Sequence, residues 1–289
     1  MRRQRSIVES ALTFTVIAIC GISTLRSEER IEVAAVDWRS VEAVDQRDFA
    51  ESANACAPAA VLNLLKLSRL EFREAHDSLL GGTDSVRLQF FVDRYFKGRR
   101  SSIEPSHRRW GVHGVFAEDL VLGLNEFLSD QELTELNSQY LNRVEGENTA
   151  ELIQRCHRWV SGSLKNGVTP VLSMRVFVVR VRDGETEPTW HPGPHHNVVV
   201  VSTDREVSEL GFSLKAIDPW GGRPVELTLH REPYGQGFQA LMGSGEKSRW
   251  LAGEPFLQVV APKVLSLRPA SLVWSERVVV TAHFLIGDY

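Results

Sequence analysis

The chain has 289 residues, of which 43% are hydrophobic and 24% are charged, and its net charge is −4. This composition is typical of a globular protein with a sizeable core, and it excludes disordered and collagen-like chains. Lys and Arg are scattered along the chain and form no basic stripe, so we expect no nucleic acid partner.

The first 30 residues differ in composition from the rest of the chain. A basic start (MRRQR) precedes a mostly apolar stretch at 11–25 (ALTFTVIAICGISTL), and charge returns at 26–30 (RSEER). The apolar stretch is shorter than the roughly twenty residues that span a bilayer comfortably. Residues 1–30 are therefore predicted to be a cleaved signal peptide, with an uncleaved membrane anchor as the alternative. In either case we expect an exported protein, periplasmic or extracellular.

Helical spacing of apolar residues dominates the first half of the mature chain. A stop signal, Asn166-Gly167, follows the last of these stretches. The predicted helices cover 57–70, 85–95, 117–128 and 149–164.

β-branched stretches separated by Gly, Pro and Asp dominate the second half. The predicted strands cover 169–182, 197–203, 211–218, 256–260 and 277–286. Helices followed by strands predict an α+β fold with a largely antiparallel sheet. We expect one domain over 31–289, with a core at about 45–222 and a β-rich C-terminal extension at 223–289.

Cys56 stands at the start of the first predicted helix, directly before an apolar stretch (CAPAAVLNLL). The unpaired N–H groups and the dipole of a helix N-terminus favour a thiolate there. A thiolate nucleophile also needs a base and a group that orients the base. His196 precedes the strand NVVVV and Asp218 ends the next predicted strand, so antiparallel pairing would bring these two residues together. The chain order Cys, His, Asp is that of papain-like cysteine enzymes.

Three stretches carry a resemblance to a known family: NACAPAA at 54–60, HHNVVVV at 195–201 and DPWGG at 218–222. They resemble the double-glycine leader peptidase-like group of papain-like cysteine peptidases. The resemblance implies that Cys56 is the nucleophile, that His196 is the general base and acid, and that Asp218 holds the imidazole. It also implies a papain-like fold and a peptide or protein substrate.

Two positions depart from the pattern of that group. Ala57 stands where the family has Gly, and Ala50 and Glu51 occupy the positions where the family has the Gln of the oxyanion hole. The expected oxyanion donors are therefore the backbone N–H of Cys56 and the side chain of Asn54. We expect a thiol hydrolase that needs no metal or organic cofactor. An acyl transferase of the transglutaminase or phytochelatin-synthase type, or an inactive peptidase-like binding module, are the alternatives.

Each candidate residue also has a structural interpretation, and for Asp218 it is that of a turn former, because Asp-Pro commonly opens a turn. Cys56 and Cys156 are the two cysteines left after removal of the signal, and export permits a disulfide between them. His191, His195 and His196 are enough ligands for a metal, although a proline-broken stretch lacks the fixed spacing of zinc motifs. The stretch that contains them, WHPGPHH at 190–196, is predicted to be a Pro/Gly loop.

Overall fold

A computed structural model of the chain describes residues 29–112, 114–181, 188–234, 237–242, 249–264, 267 and 276–289. The predicted signal or anchor, residues 1–30, lies outside the described residues except for its last two positions. Among the helices of the described residues, none combines the length and the apolar composition that a membrane crossing requires.

The helices precede most of the strands along the chain, as predicted. The last one begins with a capping box, in which Asn148 and Glu151 each bond the backbone of the other. The helix predicted over 57–70 ends earlier, because Ser68 adopts an extended backbone and donates its hydroxyl to the oxygen of Leu64. A short helix that the sequence did not predict follows it. The α-helices of the described residues are α1 (Cys56–Leu67), α2 (Leu70–Ser78), α3 (Asp84–Val92), α4 (Ala117–Asp130) and α5 (Thr149–Lys165).

The strands lie mainly in the second half, and every pairing among them is antiparallel. The α+β prediction with an antiparallel sheet is therefore confirmed. The strands are β1 (Arg30–Glu32), β2 (Asn137–Tyr140), β3 (Val171–Arg180), β4 (Thr189–Asp204), β5 (Gly211–Asp218), β6 (Arg223–His230), β7 (Gln239–Met242), β8 (Arg249–Ala252), β9 (Gln258–Val260) and β10 (Glu276–Gly287).

The main sheet closes on itself. Its neighbours run β4, β3, β10, β9, β6 and β5, and β5 pairs again with β4. Strand β1 extends the sheet beside β4, and β2 pairs with β10, while β7 and β8 form a separate hairpin. The segment 223–289, expected as a β-rich extension, thus supplies β6, β9 and β10 to the closed ring, with β10 between β3 and β9.

The prediction of a Pro/Gly loop at 190–196 was wrong, because this stretch is the first half of strand β4. Over this stretch β4 pairs with β3, whereas its recorded pairs with β5 begin only at Val199. Pro192 and Pro194 have no backbone N–H to donate. A strand tolerates proline where the edge that the missing N–H would face has no paired neighbour. Gly193 faces Val176 at a shift in register, where a Cβ would come within 3.3 Å of the valine side chain.

Helix α1 lies at the centre of the molecule and packs on β4. Eleven of its twelve residues are buried, which follows from its almost wholly apolar sequence. Its buried polar residue Asn63 makes two reciprocal bonds with the backbone of Val44, of 2.7 and 3.0 Å. The chain segment that leads to Cys56 is thereby fixed to the helix that Cys56 begins.

Candidate active site

Cys56 is the first residue of α1, and it is a free, buried thiol with 8% of its surface exposed. The residue before it, Ala55, provides no side-chain cap, so the first N–H groups of the helix are not consumed by a capping side chain. Cys156 is also free and buried, in the middle of α5. The disulfide alternative between the two cysteines is therefore wrong.

The structure brings His196 and Asp218 together. Val199 of β4 pairs with Ile217 of β5, so the residues just before Val199 lie beside the end of β5. The Nε2 atom of His196 and the Oδ1 atom of Asp218 are 2.7 Å apart, and both side chains are almost completely buried. The juxtaposition expected from the antiparallel strands is thus present.

His196 and Cys56 interact electrostatically, and the pKa of each is shifted. Burial by itself would raise the pKa of the Cys56 thiol, but a hydrogen bond and the charge of His196, with help from Asn197, bring it below its usual value. Burial lowers the pKa of His196, yet bonds to Asp218 and to Cys56 outweigh it and raise that pKa to about 9. Since Nε2 is held by Asp218, Nδ1 is the ring nitrogen left to face the thiol.

Asn197 is a member of the site that sequence reasoning missed. Its Nδ2 atom donates to the Sγ atom of Cys56 at 3.6 Å, and only 3% of the residue is exposed. Neighbouring residues of a strand point to opposite faces, so the pattern HHNVVVV gives no sign that both His196 and Asn197 reach the same thiol. Their convergence depends on how the end of α1 meets β4.

The turn after Asp218 is tied to the segment that precedes Cys56. Asp218 Oδ1 also accepts a bond of 2.9 Å from the backbone N–H of Trp220, whereas its Oδ2 makes no hydrogen bond among the described residues. The backbone N–H of Gln46 donates to the oxygen of Pro219 at 2.8 Å, and its side-chain Nε2 donates to the oxygen of Ser52 at 2.7 Å. Gln46 therefore connects the two chain segments that carry the acid and the thiol.

Asn54, the expected oxyanion donor, ends a short 3-10 turn two residues before Cys56. Its side chain makes no hydrogen bond to any residue that the structure describes. Glu51, at the position of the family's Gln, accepts a bond of 2.8 Å from the indole N–H of Trp110 and pairs with Lys97. The carboxylate of Glu51 is thus engaged away from the thiol.

The three histidines considered as metal ligands do not form a site. Among the described residues, no group of three His, Cys, Asp or Glu side chains is placed to hold a metal ion. His195 and His196 are neighbours on one strand and point to opposite faces, and His191 lies 3.3 Å from the hydroxyl of Thr189.

Comparisons of the chain with family models, with curated protein sequences and with solved structures find no match.

Proposed function

We propose that the chain is an exported thiol hydrolase with a papain-like fold, similar to the double-glycine leader peptidase-like group, and that it cleaves peptide bonds. The proposal is carried by one observation. A single buried imidazole, that of His196, is bonded to Asp218 at 2.7 Å and lowers the pKa of the Cys56 thiol. A nucleophile, a base and a group that orients the base are the parts that covalent catalysis by a thiol needs.

In the proposed reaction the resting site holds a Cys56 thiolate beside a protonated His196. The thiolate attacks the carbonyl carbon of a peptide bond, and the tetrahedral intermediate places its negative oxygen near the N-terminus of α1. The backbone N–H of Cys56 and the amide of Asn54 would donate to that oxygen. His196 then gives its proton to the leaving amine, and a thioester to Cys56 remains.

The second half of the reaction reverses the roles. Water gives a proton to neutral His196 and attacks the thioester, and the carboxylic acid leaves as the thiolate is restored. Asp218 keeps the imidazole in the tautomer and orientation that both halves require. Asn197 would stabilise the thiolate between turnovers, because its amide points a hydrogen at the sulfur.

A binding module without catalysis is the second candidate, and the contacts of Glu51 favour it. The family's oxyanion Gln is replaced by a carboxylate that is held by Trp110 and Lys97. The loss of one oxyanion donor costs about a hundredfold or more in rate. Acyl transfer to an amine, through the same three residues, would be detected as amine incorporation that exceeds hydrolysis.

The test is the pH dependence of Cys56 alkylation by iodoacetamide, resolved by site with mass spectrometry, in the full chain and in His196→Ala. In the wild type we expect rapid alkylation well below the ordinary thiol pKa of about 8.5. In His196→Ala the same profile should move to higher pH, because the cation that favours the thiolate is gone.

Hydrolysis of a peptide pool in the same samples completes the test. We expect hydrolysis to rise as pH passes the lowered pKa of Cys56 and to fall as it passes about 9, where His196 loses the proton for the leaving amine. Slow alkylation of Cys56 that is indifferent to His196 would overturn the proposal. Rapid, His196-dependent alkylation without hydrolysis would favour the binding module.

A further inference from the structure

Residues 97–109 (KGRRSSIEPSHRR) form a small basic hairpin, with five Lys or Arg residues and one Glu in a chain whose net charge is −4. The two sides of the hairpin pair as antiparallel strands through a bridge between Arg100 and Arg108. The backbone bonds of the hairpin join the neighbours of these two arginines. They run from the Ser101 N–H to the His107 oxygen at 3.0 Å and from the Arg109 N–H to the Arg99 oxygen at 3.1 Å. Arg100 and Arg108 are therefore a non-hydrogen-bonded pair, the kind of antiparallel pair whose side chains lie closer together.

One pair of arginines in this hairpin shares a carboxylate. Arg109 is buried and donates from both of its Nη atoms to Glu126, at 2.7 and 2.8 Å. The Nε atom of Arg99 lies 3.8 Å from the same carboxylate. The repulsion between these two cations is thus compensated by an anion that lies against both of them.

The pair Arg100 and Arg108, one position along each side of the hairpin, points to the opposite face, because successive residues of a strand alternate between faces. Both residues are exposed, and neither makes an ion pair with a carboxylate of the described residues. Each guanidinium donates to a backbone oxygen, Arg100 to Pro105 at 3.0 Å and Arg108 to Gly98 at 3.1 Å. Like charges directly opposite on two strands are destabilising. This outward pair therefore costs stability and retains most of its hydrogen-bond donors.

Hydrogen bonds within the hairpin and to α4 fix its shape. The hydroxyl of Ser101 accepts a bond of 3.0 Å from the N–H of Glu104. Asp119 of α4 accepts bonds of 2.9 Å from the N–H and from the hydroxyl of Ser102. The carboxylate of Glu104 lies 3.0 Å from the Nδ1 atom of His107. The outward guanidinium groups are therefore presented on an ordered hairpin, whose own acid is engaged elsewhere.

The base of the hairpin contacts the segment that leads to Cys56. Lys97 and Trp110, at the two ends of the hairpin, both bond the carboxylate of Glu51. Glu51 directly precedes the 3-10 turn that ends two residues before Cys56. Arg100 is three residues from Lys97, a span of at most about 11 Å. A polypeptide bound by the outward pair would therefore lie near the segment that carries Glu51.

We propose that Arg100 and Arg108 bind an acidic segment of a polypeptide partner, whose carboxylates take the place that Glu126 has against the other arginine pair. The inference goes beyond the proposed hydrolysis and does not depend on it. A guanidinium presents a planar fork that matches a carboxylate with two parallel hydrogen bonds. Bound carboxylates would also offset the repulsion between the two arginines.

The experiment measures the binding of labelled peptides to the full chain by fluorescence anisotropy. The probe is a peptide in which Glu alternates with Gly, so that its carboxylates lie on one side of the extended chain. The matched peptide has Gln in place of Glu. All proteins carry Cys56→Ala, so that the proposed nucleophile cannot hydrolyse the probe. We expect the Glu peptide to bind about 25-fold more tightly than the Gln peptide, about fivefold for each arginine, and less so at high salt.

Arg100→Gln and Arg108→Gln should each reduce this preference about fivefold, and the double Gln variant should abolish it. The double Lys variant keeps both charges without the planar forks and should keep part of the preference. Arg231→Gln, which removes the same charge from an exposed position after β6, is the matched control and should leave the preference unchanged. Both single Gln variants should keep the urea midpoint of their parent, because the repulsion that each change removes opposes folding.

Equal binding of the two peptides, or a preference that survives in the double Gln variant, would overturn the inference. A lower urea midpoint would also contradict it, since that would assign the two arginines to the stability of the hairpin. Vesicles with phosphatidylglycerol, compared with vesicles of phosphatidylcholine alone, test a membrane surface as the partner. Binding of the anionic vesicles that depends on the two arginines, without a preference between the peptides, would mean that the partner is a membrane and not an acidic polypeptide. The alkylation test of Cys56 and His196 is independent of these outcomes, so either proposal can fail alone.

Discussion

The two cysteines of the described chain are both free and both buried, yet burial has opposite outcomes for them. In the middle of α5, burial raises the pKa of Cys156 to about 12. At the first residue of α1, the pKa of Cys56 lies below its ordinary value although burial opposes that change. The comparison separates the effect of burial on a thiol pKa from the effect of charged and hydrogen-bonding neighbours.

The difference lies in what each neighbouring cation is bound to. Arg155 is adjacent to Cys156 in the chain, but it is paired with Glu147 at 2.6 Å and so gives little to the thiol. His196 is bonded to Asp218, which raises the pKa of the imidazole, and the protonated ring then favours the Cys56 thiolate. At Cys156, the carboxylate of Glu147 competes with the thiol for the Arg155 cation. At Cys56, the carboxylate of Asp218 favours the protonated form of His196, and that cation stabilises the thiolate.

The largest effect should come from removal of one cysteine and not the other. Cys56→Ala should reduce peptide hydrolysis to background, because loss of the nucleophile alone costs about a millionfold in a serine peptidase. The measurement is turnover of the peptide pool by mass spectrometry. Hydrolysis by Cys56→Ala at the wild-type rate would exclude the thiol mechanism and remove the functional distinction between the two cysteines.

Asp218→Asn should produce the next largest effect. The change keeps the shape of the side chain but removes the charge that raises the pKa of His196, and the equivalent change in a serine peptidase costs about ten thousandfold. We expect a loss of hydrolysis of about a hundredfold or more, and a shift of Cys56 alkylation to higher pH. An alkylation profile identical to that of the wild type would show that Asp218 only shapes the turn.

Asn197→Ala should have a smaller effect on the same profile. Its side-chain amide donates to the sulfur at 3.6 Å, and a hydrogen bond to a charged group contributes about 1.5 kcal/mol or more. Alkylation of Cys56 near neutral pH should therefore slow by about tenfold. Asn125→Ala, which removes two bonds of 3.0 and 3.1 Å to Leu136 away from the site, is the control for a general loss of stability. Equal slowing in both variants would refute a specific role for Asn197.

Cys156→Ala should leave the alkylation profile of Cys56 unchanged. The cost should appear in the free energy of unfolding, at about 1 kcal/mol, since a fully buried side chain becomes smaller. Urea titration of the full chain measures that cost. A changed Cys56 profile would mean that the two cysteines are coupled, and the comparison between them would no longer hold.

Local sequence predicted the elements that carry two of the three catalytic candidates, Cys56 and Asp218. The apolar stretch after Cys56 and the short β-branched stretch that ends at Asp218 led to α1 and β5 with nearly correct bounds. Both signals are periodic and local, so they need no knowledge of the partner element. Strand β6 has the same alternation, with Val225, Leu227 and Leu229 buried. It was not predicted, because its first two residues are Arg-Pro and they follow Gly-Gly.

The first half of β4 could not be predicted in the same way. Two prolines and a glycine at 192–194 favour a loop locally, and the strand forms because β3 supplies a partner along one edge. The contact of Asn197 with Cys56 depends in the same way on strand register and on the elements that surround it. Nothing in the order of residues indicates that the amide of Asn197 will contact the sulfur of Cys56.

The sequence by itself therefore determined the fold class, the start of the helix that begins at Cys56 and the pairing of His196 with Asp218. These follow from periodicity and from the antiparallel order of neighbouring strands, which are properties of short stretches. The tertiary structure decided the direction of each pKa shift and the engagement of Glu51 away from the thiol. Electrostatic free energies depend on burial and on distances of a few ångströms between residues far apart in the chain, and only the folded arrangement sets both.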